Sequence, residues 1–104
     1  MPRDFSMSVD DDNGKAVVRV VGEIDLETAP ALESRLVELA GSGTRVVTVD
    51  MAEIDFIDST GLHALVVGYR ALRALGGDLL VQSPSRNAVR ILELSGLDKV
   101  VKVV

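Results

Sequence analysis

The chain contains no cysteine and no tryptophan, and its only aromatic residues are Phe5, Phe56 and Tyr69. Without cysteine, disulfides, zinc thiolates and cysteine nucleophiles are excluded. With so few aromatic rings, a core must be built from aliphatic side chains, and the 47% hydrophobic content supplies them. The only histidine is His63. Long apolar runs are also missing: nothing approaches the roughly 18 residues of a membrane helix. The start "MPRDFSMSVDDD" has no apolar core of a signal peptide. These features predict a soluble, cytoplasmic protein with no direct membrane insertion. At 104 residues, one domain spanning 1–104 is the simplest organisation. A chain of this size buries roughly 65% of its extended surface, which is enough for a core without staples.

The net charge is −5 and unevenly placed. Residues 1–22 carry −1, residues 23–58 carry −7 and residues 59–104 carry +3. An acidic middle opposes binding to a phosphate backbone, which needs clustered Lys and Arg. Nucleic acid is therefore not an expected partner.

Hydrophobic patterning divides the chain into alternating elements. "DFSMSV" (Asp4–Val9) alternates as a short strand, with the acids of "DDDNG" reading as a solvated turn. Asn13-Gly14 is a strong hairpin signal, and the β-branched "AVVRVVGEI" (Ala16–Ile24) forms the second arm. Leu32, Leu36, Leu39 and Ala40 then recur at helical spacing, with Thr28 as N-cap and Pro30 in the first turn. "RVVTVDM" (Arg45–Met51) is a buried-type strand. A second helix from Gly61 carries Leu62, Leu65, Val66, Tyr69 and Leu72 on one stripe. "DLLVQ" (Asp78–Gln82) is a third buried strand. A short helix follows, with Ser85 as cap, Val89 and Leu92 on its core face and Gly96 as stop. "KVVKVV" (Lys99–Val104) reads as an edge strand, its lysines guarding the edge. The order β-β-α-β-α-β-α-β predicts an α/β fold. Its mixed, mostly parallel sheet has about five strands and an N-terminal β-hairpin, and is covered by about three helices.

In such sheets, sites collect beyond the carboxyl ends of the parallel strands. Three loops are expected there: "GEIDLETAP", "DMAEIDFIDSTG" and "QSPS". The second is the most unusual, because Asp58, Ser59, Thr60 and Gly61 stand where a strand meets a helix. Ser59 reads plainly as a helix cap, with Asp58 suited to the helix dipole. A nucleophile would need a base. His63 lies one helical turn away, but there is no G-x-S-x-G elbow. A phosphate-binding loop lacks its glycines and lysine, and Asp25, Asp55 and Asp58 would repel the anion. A magnesium-binding acid cluster of the receiver-domain kind does not fit either. Asp10–Asp12 lead into another strand rather than a helix, and no lysine follows the last strand. A hydroxyl that itself receives a phosphate remains open beside the cap. Modification would add about −1.5 to −2 charge at an already acidic edge, opposing a partner while sparing the fold.

Three segments carry a family resemblance: "VVRVVGEIDLETAPALESRL", "VVTVDMAEIDFIDSTGLHALVVGYRAL" and "RILELSGLDKVVKV". They resemble the STAS domain, specifically bacterial anti-sigma-factor antagonists, over nearly the whole chain. The motifs G-E-[IL]-D-x-x-[ST]-A and D-[ST]-[ST]-G-L fall in the right order and spacing. The resemblance implies a STAS-like fold and a binding module that is not an enzyme, with no catalytic residue, cofactor or metal. The implied partners are an anti-sigma factor that is also a serine kinase, and a metal-dependent serine phosphatase that reverses the modification. Unphosphorylated protein would bind the anti-sigma factor and release the sigma factor; phosphorylation would end the complex. Carried onto this chain, the phosphoacceptor is Ser59, with Thr60 as a minor secondary site. Partner contact falls on Asp25, Thr28, Asp58, Ser59, Gly61 and Leu62. Two alternatives stand beside this reading. One is a STAS subunit of a membrane lipid or anion transporter complex, and the other is a small acid-cluster hydrolase.

Overall fold

The computed structural model describes residues 3–104. The hairpin forms at the predicted dipeptide. Asn13 (φ 55°) and Gly14 (φ 84°) both adopt left-handed backbone, which a two-residue turn between twisted strands requires. The turn is so tight that pairing runs right up to it. Strand β1 (Ser6–Asp12) and strand β2 (Lys15–Ile24) are antiparallel, with Asp12 opposite Lys15. Asp10–Asp12 are thus exposed ladder residues rather than turn residues, as the sequence had implied.

Helix α1 (Ala29–Gly41) buries Leu32, Leu36, Leu39 and Ala40, the four residues picked out by helical spacing. Strand β3 (Val46–Ile57) lies parallel to β2 and runs six residues past the expected end at Met51. Ile54 and Ile57 are the reason: both are buried, and irregularities in the β2 pairing absorb the departure from strict alternation. Helix α2 (Ser59–Ala74) packs against α1 and buries Leu65 and Leu72 on the predicted stripe, with Leu62, Val66 and Tyr69 partly covered. Strand β4 (Asp78–Gln82) falls on its predicted residues and pairs with β3 only from Val46 to Asp50.

Helix α3 (Arg86–Ser95) is capped by the Ser85 hydroxyl and stopped by Gly96 in left-handed backbone. Its core face is Ala88 and Leu92, not Val89 and Leu92; Val89 is exposed, because the i, i+4 pair sets the inward direction. The end of the chain is a 3₁₀ turn (Leu97–Lys99) and a two-residue strand β5 (Lys102–Val103), much shorter than the predicted strand. Leu97 and Val101 are both buried, which bends the segment onto the core before it can pair.

The sheet order is β1-β2-β3-β4-β5, parallel except for the first pair. This is the predicted mixed sheet with its N-terminal hairpin and three α-helices. Its core is aliphatic throughout, with Ile24, Leu36, Ile57, Leu65 and Leu79 essentially inaccessible. On the opposite sheet face Ser8, Arg19, Thr48 and Leu80 stay half-buried or exposed. There Asp50 is held by Arg19 at 3.3 Å.

Candidate functional site

The site is built where β2 and β3 end side by side, with Ile24 opposite Ile57. The Asp58 N–H donates to the Ile24 carbonyl at 3.1 Å, so the two following loops start from one fixed point. Asp58 is extended (φ −108°, ψ −172°), which swings its carboxylate over the first turn of α2. Its Oδ1 accepts from the N–H of Thr60 at 2.9 Å and of Gly61 at 3.1 Å. The Thr60 hydroxyl donates to the same oxygen. That hydroxyl bond, together with the two backbone N–H groups and against the effect of burial, holds the Asp58 carboxyl below the usual carboxylate range.

Asp58, not Ser59, is therefore the helix cap. Ser59 occupies the first helical position, where its side chain points outward instead of over the free N–H groups. It is exposed, and among the described residues no side-chain hydrogen bond engages its hydroxyl. Gly61 is buried, and a Cβ there would stand 2.7 Å from Ile57 Cγ1 and 2.8 Å from Ile24 Cγ2. Only glycine lets the start of α2 lie this close to the strand ends.

In the first loop, Asp25 Oδ1 accepts from the N–H groups of Glu27 at 3.0 Å and Thr28 at 3.2 Å. Thr28 stands at the N-cap position of α1, but its hydroxyl makes no capping bond to the helix. It donates to the Glu23 carbonyl at 2.7 Å and accepts from the Asp25 N–H at 2.9 Å, tying the loop to the end of β2. Asp25 and Thr28 sit on the predicted edge, yet they line a separate groove with Arg3, Phe5 and Glu23.

Ser59 instead lies between two other grooves. One, of about 270 Å³, is formed by Leu26, Ala29, Pro30 and Glu33 with Ser59, Thr60 and His63. The other, of about 310 Å³, is formed by Leu62, Val66 and the Ser95–Val100 turn, again with Ser59 and His63. Leu26 is 73% exposed and Val100 55% exposed at the rims. Sequence reasoning missed Leu26, Glu33 and the turn after α3. Leu26 carried a usable signal, an apolar residue inside the acidic "EIDLET"; the turn carried none.

The third loop does not join the site. Strand β3 continues from its last pairing with β4, Asp50 opposite Gln82, to Ile57, about 23 Å of extended chain. "QSPS" is left behind, and Ser85 staples α3 to β3 through a 2.7 Å bond from its hydroxyl to the Ile54 carbonyl. The acids of the edge are also engaged separately. Asp55 is paired with Arg3 at 2.8 Å, whose guanidinium holds its carboxyl below the usual range. Asp58 caps α2 and Asp25 closes its loop.

Among the described residues no helix is long and apolar enough to cross a membrane. The chain matches the STAS domain model over residues 6–104. The anti-sigma-B factor antagonist of Bacillus subtilis (strain 168) is 30% identical over 86 residues, covering 83% of this chain and 78% of that protein. A crystal structure of an anti-sigma factor antagonist from Mycobacterium paratuberculosis superposes with a TM-score of 0.85 at 32% identity, covering 96% of this chain and 85% of that one. The anti-sigma factor antagonist SpoIIAA in its unphosphorylated form shares the fold, with a TM-score of 0.83 at 19% identity over 95% of this chain and 88% of that one. The Bacillus protein has also been solved in its phosphorylated form, with a TM-score of 0.75 over 95% of this chain and 91% of that one. The chain belongs to the STAS domain family, among relatives named anti-sigma factor antagonists.

Proposed function

We propose that this chain is an anti-sigma-factor antagonist whose binding is switched off by phosphorylation of Ser59. In this reading the unmodified protein docks on an anti-sigma factor that is also a serine kinase, in the cytoplasm, and so releases the sigma factor. The observation that carries the reading is the state of the two adjacent hydroxyls. Ser59 is exposed and unengaged at the start of a rigid helix, whereas Thr60 is half-buried and donates to Asp58. Phosphoryl transfer breaks the bond between the γ-phosphorus and the bridging oxygen of a nucleoside triphosphate. It forms a bond from Ser59 Oγ to that phosphorus, with the serine proton passing to a base of the kinase. Thr60 has to give up its bond to Asp58 before it can react, which leaves it at most a minor secondary site.

The same geometry accounts for a switch that spares the fold. Asp58 supplies the cap, so modifying Ser59 removes no hydrogen bond from the domain. The dianion instead appears between two largely apolar grooves, and a partner filling them must desolvate it beside Asp58 and Glu33. Leu26 and Leu62 supply apolar contact, Asp25 and Thr28 hold the loop that presents Leu26, and Gly61 seats the helix. A serine phosphatase of the metal-dependent type restores the binding form. Support for the reading comes from relatives named as anti-sigma factor antagonists and from the similar fold solved in both phosphorylation states.

The test is incubation with the anti-sigma factor and ATP followed by mapping of the phosphate. Label at Ser59, absent from Ser59→Ala, is expected. No label, or label only at Thr60, overturns the assignment.

A further inference from the structure

We propose that His63 holds the phosphate carried by Ser59, making it a positioning residue of the modified state; the inference rests on the phosphoacceptor reading above. His63 stands four residues after Ser59 on α2, so the two Cβ atoms lie about 5–6 Å apart on one helix face. Side chains on a helix lean toward its N-terminus, which carries the imidazole back over Ser59. Both grooves flanking Ser59 are lined by His63, and among the described residues no other that lines either groove can carry a positive charge.

Acidic and uncharged groups surround that position. Glu33 faces it from α1 and Asp58 caps the same helix, while Ser95, Gly96, Leu97 and Val100 face it from the turn after α3 without charge. Lys99, exposed on that turn, is the alternative cation that the turn itself carries. The N–H groups of Thr60 and Gly61 already serve Asp58, so the helix end has fewer donors left for a phosphate. A phosphate on Ser59 therefore finds its countercharge in His63. The second ionisation of a serine phosphate lies near pH 6, so a cation held beside it is read directly in that ionisation.

The experiment uses full-length chain with phosphoserine inserted at position 59 during translation, which makes it independent of any kinase. Phosphorus NMR follows the phosphate from pH 5 to pH 9 in protein with His63 intact, in His63→Gln, in His63→Lys and in Lys99→Gln. The second phosphate ionisation is expected about half a unit lower with His63 than with His63→Gln, with the low value restored in His63→Lys. His63 is exposed, so these variants keep the fold. Coincidence of the titrations with and without His63, to about a tenth of a unit, overturns the inference. So does an effect that follows Lys99→Gln instead. Either result leaves the phosphoacceptor reading standing, whereas absence of kinase label on Ser59 sinks that reading whatever the titrations show.

Discussion

Removing the Asp58 side chain separates the two roles crowded at the start of α2. The Asp58 carboxylate takes two backbone N–H bonds, at 2.9 Å and 3.1 Å, and one from the Thr60 hydroxyl. Loss of an N-cap costs about 0.5–2 kcal/mol, and the stranded Thr60 hydroxyl puts Asp58→Ala in the upper half of that range. For a chain of about 100 residues, each kcal/mol lowers the melting temperature by about 4–8 °C, so Asp58→Ala is expected to melt roughly 5–15 °C below the parent. Asp58→Asn keeps the acceptor geometry and loses only the charge, so it falls between the two. Ser59→Ala, removing a hydroxyl without partners, stays within about 0.5 kcal/mol of the parent. The assay is thermal unfolding followed by far-ultraviolet circular dichroism at pH 7 and again at acid pH. Because folding depresses the Asp58 carboxyl, its contribution is fully present above the unfolded value near pH 4 and fades as pH falls through the lower folded value. The gap between parent and Asp58→Ala is thus wide at neutral pH and narrows as pH falls below about 4. If Ser59→Ala costs as much as Asp58→Ala, or if the gap persists unchanged in acid, the assignment of the cap is wrong.

Gly61→Ala forces a methyl group to within 2.7 Å of Ile57 and 2.8 Å of Ile24, two fully buried side chains. Overpacking of this kind costs about 1–3 kcal/mol in thermal or denaturant unfolding, and a neutral result would mean that the helix start can slide. Leu26→Ala leaves stability within about 0.5 kcal/mol, since the side chain is 73% exposed, yet weakens binding to the anti-sigma factor at least tenfold in calorimetry. Unchanged affinity would remove the groove beside α1 from the docking surface.

Element order and most of the core were legible in sequence because spacing controls them directly. Asn13-Gly14, the Leu32-Leu36-Leu39 stripe, "DLLVQ" and the Ser85–Gly96 bracket each encode a local geometry that tertiary contacts only reinforce. Asp58 and Ser59 exchanged roles because both are strong capping residues, and only the backbone angles at Asp58 decide between them. The length of β3 was hidden because irregular pairing with β2 breaks the alternation that marks a strand. That one error displaced "QSPS" from the site and concealed the turn at Leu97–Val100, which reaches Ser59 from a part of the chain with no motif of its own.

The central claim is that a phosphate on Ser59 switches partner binding without altering the fold. Calorimetric titration of the anti-sigma factor with unmodified protein and with protein carrying phosphoserine at position 59 tests it directly, alongside a melt of each form. The account predicts at least a tenfold loss of affinity, about 1.4 kcal/mol, with melting temperatures that agree within a few degrees. Equal affinities, or a phosphorylated form that loses binding only because it unfolds, would contradict it.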